Sequence, residues 1–133
     1  MISITGSGWG KLETEDFTGA ISYTTEVPLD FLNAALHYLQ SNKPQAVFCD
    51  EEGSCFTFIL TDYPSFVITE REAPALHVIN KSAREIIKEL LDDIERDTPE
   101  AWASEFAGSD AEVAKMKQLI KKKVEQIKKL LKR

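Results

Sequence analysis

The 133-residue sequence predicts an α+β fold: an antiparallel sheet, laid out as a meander, covered by helices and ending in a long amphipathic C-terminal helix. Three observations predict it. Residues 45–79 break into short apolar runs separated by turn residues, which marks strands joined in sequence. Residues 82–133 instead carry apolar side chains at steps of three and four, the spacing of one helix face. Strand runs precede helix runs rather than alternating with them, and tight turns between consecutive strands force antiparallel pairing.

The elements follow in order. Ile2-Ser3-Ile4-Thr5 alternates and predicts a short strand. Thr5-Gly6-Ser7-Gly8-Trp9-Gly10-Lys11-Leu12 reads as a flexible turn, with Trp9 at the edge of the core or exposed. Phe17 to Thr24 reads as a second strand with Phe17, Ile21 and Tyr23 on one face, and Gly19 on that face suggests a bulge. Pro28 opens a helix whose stripe is Leu29, Leu32, Ala35, Leu36 and Leu39, with His37 beside it and a stop at Ser41-Asn42-Lys43-Pro44. The meander places strands at Gln45–Asp50, Cys55–Thr61, Phe66–Glu70 and Leu76–Ile79. The link Glu51-Glu52-Gly53 suits a three-residue hairpin loop, which would set Cys49 opposite Cys55 and Asp50 opposite Ser54. Ser82-Ala83-Arg84-Glu85 is a capping box ahead of Ile86, Ile87, Leu90, Leu91 and Ile94. Thr98-Pro99 restarts a short helix holding Trp102 and Phe106, stopped by Gly108. Ser109-Asp110-Ala111-Glu112 is a second box, opening a helix of about 24 residues with the stripe Val113, Met116, Ile120, Val124, Ile127 and Leu131.

Composition bounds the class. Hydrophobic residues make up 43% and charged residues 29%, ordinary for a globular protein. We expect one domain over residues 1–133, no membrane span, no secretory leader and a cytoplasmic location. The net charge of −6 is unevenly spread. Residues 1–80 carry −8, residues 81–110 carry −5 and residues 111–133 carry +7. The chain is thus an acidic body, residues 1–108, with a basic helix, residues 109–133. An acidic body argues against direct nucleic-acid contact, which needs Lys and Arg against phosphate. It suits a basic protein partner, whose encounter opposite charge would speed.

Chemistry-bearing motifs are few. The glycine-rich stretch fails the phosphate-loop pattern, because Thr5 stands where the first glycine is needed and Leu12 where the hydroxyl is needed. It also fails G-x-G-x-x-G, because Lys11 stands at the last glycine. Cys49, Cys55, His37 and His77 lack metal-ligand spacing, so neither metal nor cofactor is expected. His77 could approach Cys55 from a neighbouring strand, but nothing local signals an activated thiol, and no G-x-S-x-G is present. Asp92, Asp93, Glu95 and Asp97 share a helix with Lys88 and Arg96 and read as a solvated face with pairs Lys88–Asp92 and Asp92–Arg96. The basic last helix admits three readings: its stripe packs on the domain, it pairs with another copy, or its lysines meet a membrane or phosphates. It lacks Trp and Phe to anchor it in lipid.

Without an active site to point to, the chain resembles the immunity proteins of bacterial polymorphic-toxin and contact-dependent-inhibition systems. The resemblance rests on PLDFLNAALHYLQ, AVFCDEEGSCFTFILTDYPSFVITE and SAREIIKELLDDIERDTPEAWASEF, and is one of size, charge and layout. It implies a non-catalytic protein that binds and neutralises a cognate basic toxin, often a nuclease. Contacts are expected from exposed acids near turns with an aromatic anchor: Glu51, Glu52, Glu70, Glu72 and Trp9 first, then Asp92, Asp93 and Trp102, with core packing favoured for Trp102. Two other readings stand beside it. One is a self-associating structural or adaptor protein, a homodimer through residues 113–131. The other is a small-ligand domain or weak enzyme in a cleft around His77, Cys55 and Tyr63.

Overall fold

The computed structural model describes residues 1–24, 26–105 and 108–133. Phe106, expected in the short helix, lies outside the described residues. The order is β1 (Ile2–Ile4), β2 (Trp9–Glu13), β3 (Thr18–Ser22), α1 (Val27–Ser41), β4 (Gln45–Asp50), β5 (Cys55–Leu60), β6 (Ser65–Glu70), β7 (Pro74–Ile79), α2 (Ala83–Asp97), α3 (Pro99–Ser104) and α4 (Asp110–Leu131). The α+β class and the four-strand meander are as the sequence predicts. The strands form two antiparallel sheets, β1-β2-β3 and β4-β5-β6-β7.

The N-terminal sheet corrects the sequence reading. Trp9–Glu13 is a strand, paired with β1 through Ile4↔Gly10 and with β3 through Leu12↔Gly19. The turn is confined to its first residues. Gly6, Ser7 and Gly8 all have positive φ, and Trp9 N–H closes back on the Gly6 carbonyl at 3.1 Å. These glycines therefore serve a tight hairpin, where left-handed backbone is required. Gly19 is no bulge, since the ladder runs through it unbroken. It is small because a Cβ there would stand 2.4 Å from the Phe56 ring and 2.7 Å from the Phe17 ring.

The central hairpin also differs. Cys49 faces Phe56 and Asp50 faces Cys55, so the loop is the four residues 51–54. Glu52 takes the left-handed backbone at φ 55° and Gly53 follows at 133°. The one-residue shift decides faces, because side chains alternate along a strand. Cys49 goes to the core and Cys55 to the outer face.

Helix α1 has Pro28 in its first turn and ends at Asn42, whose left-handed backbone returns its N–H to Tyr38 O. Its buried residues include Phe31, Leu32, Ala34, Ala35, Leu36 and Tyr38, wider than a single stripe. The reason is position: α1 packs on β4 and β5 on one side and on α4 on the other. Helix α2 starts with a complete capping box at Ser82 and Glu85. Thr98 caps α3 through the Ala101 N–H, and Ser109 caps α4 through the Glu112 N–H. Helix α4 has 22 residues, about 33 Å. Its stripe is used internally: Ile120, Val124 and Ile127 are buried against α1 and α3. Lys117 reaches Glu100 at 3.5 Å, and Lys128 pairs with Glu95, so the basic helix lies on the acidic body.

Candidate interaction surface

Alternation sorts the four-stranded sheet into two faces. Val47, Cys49, Phe56, Phe58, Leu60, Val67 and Ile79 point into the core. The outer face is built from three rows that cross the strands in register. Ala46, Ile59, Phe66 and Val78 form one row. Phe48, Thr57, Ile68 and Leu76 form the next. Asp50, Cys55, Glu70 and Pro74 form the third. The first two rows carry no charge, yet Phe48 is 54% exposed and Leu76 60% exposed.

The third row continues into an acidic end. The 51–54 and 71–73 turns meet there around an open groove of about 850 Å³ lined by Gly53, Ser54, Glu70, Arg71, Glu72 and Ala73. Glu52, Glu70 and Glu72 are exposed. Glu51 is not free: its carboxylate takes Arg71 Nη2 at 2.7 Å and the Ser54 hydroxyl at 3.0 Å. Arg71 is held in turn by the Thr18 carbonyl at 3.1 Å and by the Phe17 ring, 5.0 Å from its guanidinium carbon. Arg71, with its side chain 42% exposed, is thus engaged by Glu51 and Phe17, beside the exposed acids Glu52, Glu70 and Glu72. Burial pushes the Glu51 carboxyl up, but Arg71, Ser54 and the Ala20 backbone together hold it below the usual carboxylate range. A depressed carboxylate stabilises the fold above its unfolded pKa, and that stability is lost as pH falls through the folded value. Arg71→Met should therefore flatten the fall in urea midpoint between about pH 5 and about pH 3. An unchanged acid slope would remove the pair from the account.

The other sequence-predicted residues scatter. Trp9 is half-buried at the start of β2, in the other sheet. Asp92 is exposed on α2, on a different element from the acidic end. Trp102 is fully buried, with no acceptor for its Nε1 among the described residues. Asp93 requires correction. It is 9% exposed and takes the Met1 ammonium at 2.8 Å, the Ile2 N–H at 3.0 Å and Arg96 at 3.0 Å. It ties β1 to α2 and is not free to meet a partner. The pairs observed here are Arg96 with Asp93 and Asp97, in place of Asp92–Arg96.

The His77, Cys55 and Tyr63 cleft does not form. His77 stands opposite Val67 and packs on Phe17, ring centroids 5.0 Å apart. Cys55 is on the opposite face, its thiol donating to Glu70 at 3.0 Å. That hydrogen bond, more than anything else around it, pushes the thiol up from its ordinary value, away from thiolate. Tyr63 lies in the turn at the far end of the strands. Burial likewise raises the Cys49 thiol. Among the described residues, no group of three or more His, Cys, Asp or Glu could hold a metal ion, and no helix is long and apolar enough to cross a membrane. Sequence reasoning found the acids but missed the two apolar rows. Their signal was present: Phe48, Ile59, Phe66, Ile68, Leu76 and Val78 sit at positions that a correct register places on one face.

The chain matches no family model, no curated protein and no solved structure.

Proposed function

We propose that this chain is an immunity-type inhibitor, which neutralises a basic bacterial protein toxin by binding it rather than by chemistry. The observation that carries the reading is the acidic end of the β4–β7 sheet. The groove between the two hairpin turns is lined by Glu70 and Glu72, with Glu52 exposed in the 51–54 turn, while the adjacent Arg71 is engaged by Glu51 and Phe17. Opposed charge of this kind raises encounter rates and weakens with salt. Direct contact with nucleic acid fits poorly, because Arg71, which lines the groove, is already paired with Glu51. The partner is a basic protein surface, as on a toxin that itself handles phosphate.

The test is a pull-down with the tagged chain at low and then high salt, followed by association kinetics. One stoichiometric basic partner is expected, weakened by salt. The double variant Glu52→Lys/Glu72→Lys should slow association at least about tenfold at low salt and reduce its salt dependence. An unchanged rate with the captured partner would remove the acidic end from the mechanism.

A further inference from the structure

The two sheets have four edges, and three of them are covered. Strands β3 and β4 lie against each other, with α1 along β4. The outward backbone of β1 is taken by α2. Asp93 accepts the Ile2 N–H at 3.0 Å, Asp97 accepts the Ile4 N–H at 3.4 Å, and Arg96 donates to the Ile2 carbonyl at 3.2 Å. Strand β7 is the exception. It ends its sheet, and in an antiparallel pair alternate residues turn N–H and C=O away from the neighbour. Among the described residues, no group from outside the β6–β7 ladder bonds to the backbone of residues 74–78. Folded proteins blunt such an edge with lysine, a bulge, a short strand or a cover. Pro74–Ile79 has six residues in unbroken register and no charged side chain, and Pro74, Ala75, Leu76 and Val78 are exposed. We propose that this edge receives an extended, basic segment of another protein as a fifth strand.

The chemistry of the edge names its occupant. Open N–H and C=O groups at strand spacing are matched by another extended backbone, which is how strand addition binds peptides. Charge sets the composition. At the Pro74 end stand Glu70 and Glu72. At the Ile79 end a cavity of about 340 Å³ joins Val78 and Lys81 to Glu13, Glu15 and Glu89. The cations at the two ends are paired: Arg71 with Glu51 at 2.7 Å, Lys81 with Glu89 at 2.6 Å and the Met1 ammonium with Asp93 at 2.8 Å. A second copy of β7 fits in neither direction. Antiparallel pairing brings Glu70 and Glu72 to Glu13 and Glu15 of the copy, and parallel pairing brings them to their own counterparts. This chain gathers its basic residues in α4, which is helical and not extended. The occupant is therefore a strand of another chain, about six residues long, with Lys or Arg at both ends and apolar side chains at alternate positions beside Leu76 and Val78. The inference stands on the edge and its flanking acids, whichever protein carries the segment.

The probe is a synthetic peptide, KKVTVTVKK with both termini blocked, titrated into the isotope-labelled full chain and followed by amide NMR. Saturable binding is expected, with a dissociation constant between about 10 µM and about 1 mM. The largest shifts and the slowed hydrogen exchange should fall on the amides of residues 75–79. The same peptide N-methylated at its central residues keeps its charge and side chains but has no N–H to give, and should bind at least about tenfold more weakly. EEVTVTVEE should not bind, and Glu70→Gln/Glu72→Gln should weaken KKVTVTVKK at least about threefold. Shifts confined to the 51–54 and 71–73 turns, or equal binding of the N-methylated peptide, overturn the proposal. So does the absence of shifts along β7 at about 2 mM peptide. Binding of the acidic peptide, or an affinity unchanged in the double variant, overturns the choice of a basic segment. A wild-type dimer in sedimentation velocity that the peptide dissociates gives the edge to a second copy and also overturns it. None of these outcomes needs a captured toxin, so the two proposals fail separately.

Discussion

Asp93→Ala should destabilise the fold by about 1–3 kcal/mol, the range for leaving a buried hydrogen-bond donor without its acceptor. For a domain of this size that lowers the melting temperature by roughly 4–15 °C. The reasoning is local. The Asp93 carboxylate faces the Met1 ammonium, whose residue is 2% exposed by side chain, and also takes the Ile2 N–H. Without it, the buried Ile2 N–H stays unanswered, the Met1 ammonium loses its partner, and β1 loses its tie to α2. Arg96 adds less, because its side chain is 54% exposed and solvent screens it. Asp92→Ala, one residue away and exposed, should stay within about 0.5 kcal/mol of wild type. Urea unfolding of the two variants side by side is the measurement. Equal stabilities would mean that the buried network contributes nothing.

Gly19→Val should cost about 2–4 kcal/mol, and Gly19→Ala somewhat less. At this position even one methyl group would enter the Phe56 ring at 2.4 Å and the Phe17 ring at 2.7 Å. Neither ring can easily turn away. Phe56 is fully buried, Phe17 is 4% exposed, and the two stand edge to face at 5.0 Å. Phe17 also carries the Arg71 guanidinium. The strain therefore runs from β3 to the clamp on Glu51, and Gly19→Ala should also raise the Glu51 carboxyl pKa from its depressed value. Denaturant unfolding gives the first effect and carboxyl titration by NMR the second. A stability within about 0.5 kcal/mol of wild type would show that the rings have room to yield.

Much of the fold was legible in the residues because local chemistry set it. Pro28, the Ser82–Glu85 box, Thr98-Pro99 and Ser109 each start a helix through bonds within a few residues of themselves. The meander's strand limits followed from turn residues. Trp9–Glu13 was hidden because Gly8 and Gly10 outweigh two apolar residues in any local reading, while pairing on both sides makes it a strand. The hairpin at 51–54 was read one residue short, and that slip inverted the placement of Cys55.

The candidate site divides the same way. Exposed acids next to turns could be named from sequence, and Glu52, Glu70 and Glu72 do meet at one end of the sheet. Glu51 and Asp93 looked equivalent to them, yet Arg71 and the Met1 ammonium, far away in the chain, withdraw both from the surface. The sequence by itself determined the α+β class, the helix starts, the acidic body and the basic last helix, because composition and short-range hydrogen bonds suffice for those. Only the tertiary structure decided which carboxylates are free, which face of the sheet stays uncovered, and that the stripe of α4 is used against α1. Those depend on strand register and on contacts between residues distant in the chain, which no local pattern encodes.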